Sequence, residues 1–126
     1  SQRRHIHVVT CHAYQYTDDG TPSALWNQEP RADVDAQAAA KTGRAFGWTE
    51  FGSSQMGNRT QATERFLLRQ FQENDASFAL QWGFMPTSQD VGVGDRNFGF
   101  SPANFNKEYD QLGALFRGLP GRLASS

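Results

Sequence analysis

His5 and His7 are the residues whose type and spacing point most directly to chemistry. Two apart on an extended strand they share one side, and two imidazoles on one side can share a divalent metal. Cys11 falls farther along that same side and His12 on the opposite one, so a strand without a bulge cannot gather all four. As chain neighbours on a strand, Cys11 and His12 point apart and do not form a nucleophile–base pair. A second group is Arg96, Phe98 and Phe100, a cation with two rings. Asp90 and Asp95 flank a Gly-rich stretch, but calcium needs more oxygen ligands at regular spacing, so a solvated loop is expected there. Glu50 and Glu64 can face each other across strands, and nothing marks them as an acid–base pair. No nucleophile elbow, phosphate-binding Walker loop or dinucleotide fingerprint occurs, so no catalytic residue is assigned.

Two of these groups resemble known motifs. His5-Ile6-His7 resembles the His-hydrophobe-His motif of nucleases that nick single-stranded DNA, such as relaxases and rolling-circle initiators. The resemblance implies a metal on His5 and His7 and attack on a phosphodiester by a helical tyrosine, for which Tyr109 is the candidate. That family places a strand before the histidine pair, whereas four residues precede it here. Arg96-Asn97-Phe98-Gly99-Phe100 resembles the start of the RNP1 motif of RNA-recognition and cold-shock domains, which implies base stacking on Phe98 and Phe100. Asn97, Ser101 and Ala103 depart from that pattern. The plainer readings are surface histidines at 5 and 7, and Phe98 and Phe100 anchoring a loop into the core.

The elements that must position these residues follow from pattern. His5 to Tyr16 reads as a strand with two mixed faces, Ile6, Val8, Thr10, His12, Tyr14 and Tyr16 against the rest. Asp18-Asp19-Gly20 marks a turn, Ala24 to Asn27 a short return strand, and Pro30 its end. Asp33 to Lys41 reads as a small Ala-rich helix capped by Asp33 and stopped near Gly43. Arg44 to Ser54 reads as a strand with a bulge or close approach at Gly47 or Gly52. Glu64 to Gln72 fits either a helix or a strand. The clean alternation of Ser77 to Met85 and the short Glu73-Asn74-Asp75 link favour a hairpin. Thr87 to Gly99 is a long Gly/Asp loop. Ser101-Pro102 opens a helix carrying Phe105, Tyr109, Leu112, Leu115 and Phe116, which Gly118-Leu119-Pro120-Gly121 ends, leaving a frayed tail. The expected architecture is one α+β domain over residues 1–126. It has a two-layer antiparallel sheet with a small helix and a long C-terminal amphipathic helix. The alternative is a β-sandwich or barrel with one terminal helix.

Composition limits the function classes. The chain has 12 Lys+Arg against 13 Asp+Glu, a formal charge of -1, so no global bias toward nucleic acid exists. Only Lys41 and Lys107 are lysines, and arginine is the better interface cation. Ten Phe, three Tyr and three Trp supply either a core or contact surfaces. A single cysteine excludes an internal disulfide. No apolar run long enough for a membrane span and no signal-peptide core is visible, so a soluble chain of open compartment is expected. These features favour a non-catalytic binding or assembly module acting through protein–protein contacts or self-association. Its contacts are expected at Thr87 to Phe100 and the exposed aromatics among Trp26, Trp48, Phe51, Trp82 and Phe84, with no required cofactor. Two readings compete: a metal-dependent enzyme using His5 and His7, and a single-stranded nucleic-acid binder using Arg96, Phe98 and Phe100.

Overall fold

Large rings spaced by two and then three residues govern the central strand. Phe46, Trp48 and Phe51 can share one face of a strand only if an extra residue enters between the last two. The computed structural model, which describes residues 7–15, 26–53, 59–83 and 106–125, shows this solution. Strand β1 (Val8–Gln15) is followed by helix α1 (Glu29–Lys41), strand β2 (Ala45–Ser53), helix α2 (Arg59–Gln72), strand β3 (Phe78–Gln81) and helix α3 (Asn106–Ala124). The strands form a sheet in the order β1-β2-β3, and both pairings are parallel. Cys11 pairs with Trp48 but His12 with Glu50, so Thr49 is the extra residue. The same shift separates β2 from β3.

The expected antiparallel two-layer sheet is therefore incorrect, and among the described residues no barrel or sandwich forms either. The error traces to the segment before β3. It is not a strand of a hairpin but a helix from Arg59, burying Ala62, Thr63, Phe66, Leu67 and Gln70 at helical spacing. A helix between two strands carries the chain back to the starting end of the sheet, and the next strand must then run parallel. Glu73 to Asp75 is thus a helix-to-strand link, with Asp75 in the left-handed region at φ 52°. The expected return strand at Ala24 to Asn27 is likewise absent from its described part, Trp26 and Asn27, which lead into α1. Pro30 does not end an element. It sits in the first turn of α1, where its missing N–H costs nothing, and the helix starts before Asp33.

Helices α1 and α2 pack on one face of the sheet. From α1 come only Ala32, Ala36 and Ala39, whose small side chains allow close approach. Phe66 of α2 fills the centre, stacked on Trp26 at 4.4 Å and on Phe51 at 5.3 Å, with Trp48 edge-on at 5.1 Å. Truncating a ring so placed costs about 3–5 kcal/mol. A polar seam joins the two helices beside these rings. Arg69 binds Glu29 and, at 2.8 Å, Asp33, while Gln70 donates to Glu29 at 3.1 Å and accepts from the Trp48 indole at 3.2 Å. Burial works against the Arg69 charge, but Glu29 and Asp33 outweigh it and hold the guanidinium more firmly protonated than an ordinary arginine.

Helix α3 buries Leu112, Leu115 and Leu119, and Leu119 joins the main core. Contrary to expectation, Gly118 to Gly121 does not end it. The helix continues through Pro120 to Ala124, and an Arg122–Glu64 ion pair with α2 holds the last turns. A proline interrupts one backbone bond, and tertiary packing here outweighs that loss. The expected cap at Ser101-Pro102 and the loop Thr87 to Gly99 lie outside the described residues. No helix among the described residues is long and apolar enough to cross a membrane.

Candidate functional site

Every other residue of β1 turns away from the helices. Val9, Cys11, Ala13 and Gln15 face them, and Val8, Thr10, His12 and Tyr14 line the opposite, open face. On β2 the bulge at Thr49 sets the next residue, Glu50, on that open face directly beside His12. If Thr49 instead took its own place in the ladder, strict alternation from Trp48 would put both Glu50 and Phe51 on the wrong side. Glu50 thereby receives two partners at one oxygen. The Tyr14 hydroxyl donates to Oε2 at 2.5 Å, and His12 Nδ1 lies 3.4 Å from the same atom. Tyr14 is itself fixed by Asn27, whose side-chain oxygen accepts from the Tyr14 N–H at 2.7 Å while its own N–H donates to the Tyr14 carbonyl at 2.9 Å.

The group is accessible, with the His12 side chain 54% and the Glu50 side chain 34% exposed. With Nδ1 turned to the carboxylate, Nε2 is the imidazole atom left for another partner. A phenol, a carboxylate and an imidazole sharing one oxygen can hold a proton, pass it on, or present a fixed hydrogen-bonding pattern. Around it lies an apolar surface. Large side chains at Phe78, Leu80 and Trp82 alternate along β3 with the core-facing Ala79, so the bulky row is the open one. Leu80 is 56%, Val8 44% and Trp82 38% exposed. The Phe78 ring crosses over to Gly47 and occupies the place a side chain would take there.

The residues singled out by sequence fare differently. His7 is exposed just before β1, its carbonyl accepting from the Ala45 N–H at 3.0 Å, and His5 lies outside the described residues. Among the described residues no group of three or more His, Cys, Asp or Glu is placed to hold a metal ion. Cys11 faces the helices, its thiol 3.8 Å from Asp35, apart from His12. Tyr109 is half-buried on α3 against Leu112 and Leu115. Arg96, Phe98, Phe100, Asp90, Asp95 and Phe84 lie outside the described residues. Glu64 does not face Glu50 across strands, being on α2 and paired with Arg122. Of the aromatic set, Trp26, Trp48 and Phe51 are core, and Trp82 is exposed.

Sequence reasoning missed the His12–Glu50–Tyr14 group. Its signal was present as His12 and Tyr14 on one strand face, together with the broken alternation of Phe46, Trp48 and Phe51 that demands a bulge beside Glu50. No protein-family model, curated protein or solved structure matches this chain.

Proposed function

We propose that this chain is a non-catalytic binding module whose partner is a second copy of itself, docked through the open face of the sheet. The observation that carries the reading is the bulky apolar row of Phe78, Leu80 and Trp82, with Val8, on a parallel sheet whose described helices lie on the other side. Parallel sheets are almost always covered on both faces. The charge on this face favours a like partner. One carboxylate and one imidazole sit side by side, a pair complementary to itself when turned about a two-fold axis. The face is small, about 14 Å by 26 Å from strand spacing and rise. Association is accordingly expected in the micromolar range rather than tighter.

Sedimentation equilibrium tests this. The protein should form dimers with a dissociation constant of about 1–100 µM, and Leu80→Glu should be monomeric with unchanged circular dichroism. A chain that stays monomeric through that range, or a Leu80→Glu variant that still dimerises, overturns the reading. Metal chemistry at His5 and His7 is the competing proposal. Stoichiometric metal in the purified protein, lost in His5→Ala and His7→Ala, would favour it. Salt-dependent binding of single-stranded oligonucleotides would favour a role for Arg96, Phe98 and Phe100.

A further inference from the structure

A separate cavity lies on the helix side of the sheet, between the end of β3 and α3, with a volume of about 270 Å³. Its apolar wall is Leu112 and the half-exposed Phe116, with Tyr109 beside them. Three polar features converge on it. Gln81 spends its amide N–H groups on the carbonyls of Phe51 and Trp82, at 3.1 and 2.8 Å, while its buried Oε1 has no donor among the described residues. Buried acceptors are nearly always satisfied, so this one calls for a donor that the described residues do not supply. Arg117 and Asp110, two turns apart on α3, have no ion-pair or hydrogen-bond partner among the described residues. The Arg117 guanidinium lies back over Gly113, 3.2 Å from where a side chain would begin. Glycine weakens a helix interior relative to almost any other residue, and here its bare surface is what seats the cation.

From this geometry we infer that the cavity is a binding site for a small carboxylate with an apolar ring and an N–H donor. The carboxylate pairs with Arg117, the ring lies on Leu112 and Phe116, and the N–H donor serves the two acceptors, Gln81 Oε1 and the Asp110 carboxylate, the latter repelling any second acid group. The volume corresponds to about nine waters, room for a ring acid and little more. The site shares no residue with the open sheet face, so the two proposals stand or fall separately.

Indole-3-acetate combines all three features. Indole lacks the acid, and phenylacetate lacks the N–H. Nuclear magnetic resonance titration should show saturable binding of indole-3-acetate tighter than about 1 mM, with shifts at Leu112 and Phe116, and each of the other two probes about tenfold weaker. Gly113→Leu fills the seat of the guanidinium with a good helix former. It should abolish binding while melting no lower than the parent. Equal affinity for the three probes, binding that survives Gly113→Leu, or no saturable binding at all would overturn the proposal. In the last case water alone satisfies Gln81.

Discussion

At the scale of single residues, the two sides of β1 hold polar groups in opposite circumstances. Cys11 is turned inward, and burial first, then the charge and hydrogen bond of Asp35, push its thiol above its ordinary value near 9, against a smaller opposing effect of Arg31. A raised value means the folded state holds the proton more tightly than the unfolded chain. That contribution to stability is complete below about pH 9 and is lost as pH rises through the folded value. Urea unfolding across pH 7 to 10 should show this fall, and Cys11→Ala should remove it. Asp35→Asn should also speed reaction of the thiol with an alkylating reagent, since the repelling charge is gone. On the outward side, Gly47→Ala would drive a methyl group into the Phe78 ring. The ring is the outer end of a half-buried side chain and must swing off β2, so the loss expected is about 1 kcal/mol, at the low end of overpacking costs. Phe78 ring resonances that do not move in the variant would show that Phe78 does not cross β2 there. The sequence marked Gly47 as a place of close approach, and the structure supplies the approaching group. It marked the bulge less well, at a glycine rather than at Thr49, because the spacing of the three rings is a stronger constraint than glycine content.

At the scale of elements, the reading succeeded where pattern was decided by local chemistry. The strand nature of β1 and β2, the stop of α1 at Gly43 with φ 64°, and the amphipathic Tyr109–Leu112–Leu115 face of α3 all follow from local residue types. It failed where two patterns competed. Glu64 to Gln72 satisfies period 2 and period 3.6 about equally, and only its packing decides. Phe66 reaches three rings from a helix, and Arg69 and Gln70 meet α1 from the same helix. One wrong element then reversed the direction of a strand and with it the sheet. The bulge offers a test of the element itself. Deleting Thr49 leaves Phe46, Trp48, Phe51 and Ser53 in strict alternation, so the sheet should survive with a loss of no more than about 2 kcal/mol, measured by urea unfolding. Deleting Thr10 instead puts part of β1 out of phase with its core face and should unfold the protein. Equal effects of the two deletions would contradict the assigned register.

At the scale of the whole molecule, the chain places its helices α1 and α2 on one side of a parallel sheet and its bulkiest β3 side chains on the other. The sequence showed that alternation of Phe78, Leu80 and Trp82 clearly, but alternation alone does not say which set faces the core. The small set does, because Trp48 already fills the space beneath Ala79. The large set is left on the open face, around the His12–Glu50–Tyr14 group. The most direct measurement is the accessibility of the Val8 and Leu80 methyl groups to a soluble paramagnetic reagent, read by nuclear magnetic resonance at dilute and at concentrated protein. Both methyl signals should broaden in the dilute sample and become protected as copies pair, while those of Leu112 and Leu119 change little between the two samples. Protection of Val8 and Leu80 already at high dilution, or broadening that does not change with concentration, would contradict a sheet face that is open in one copy and closed by another.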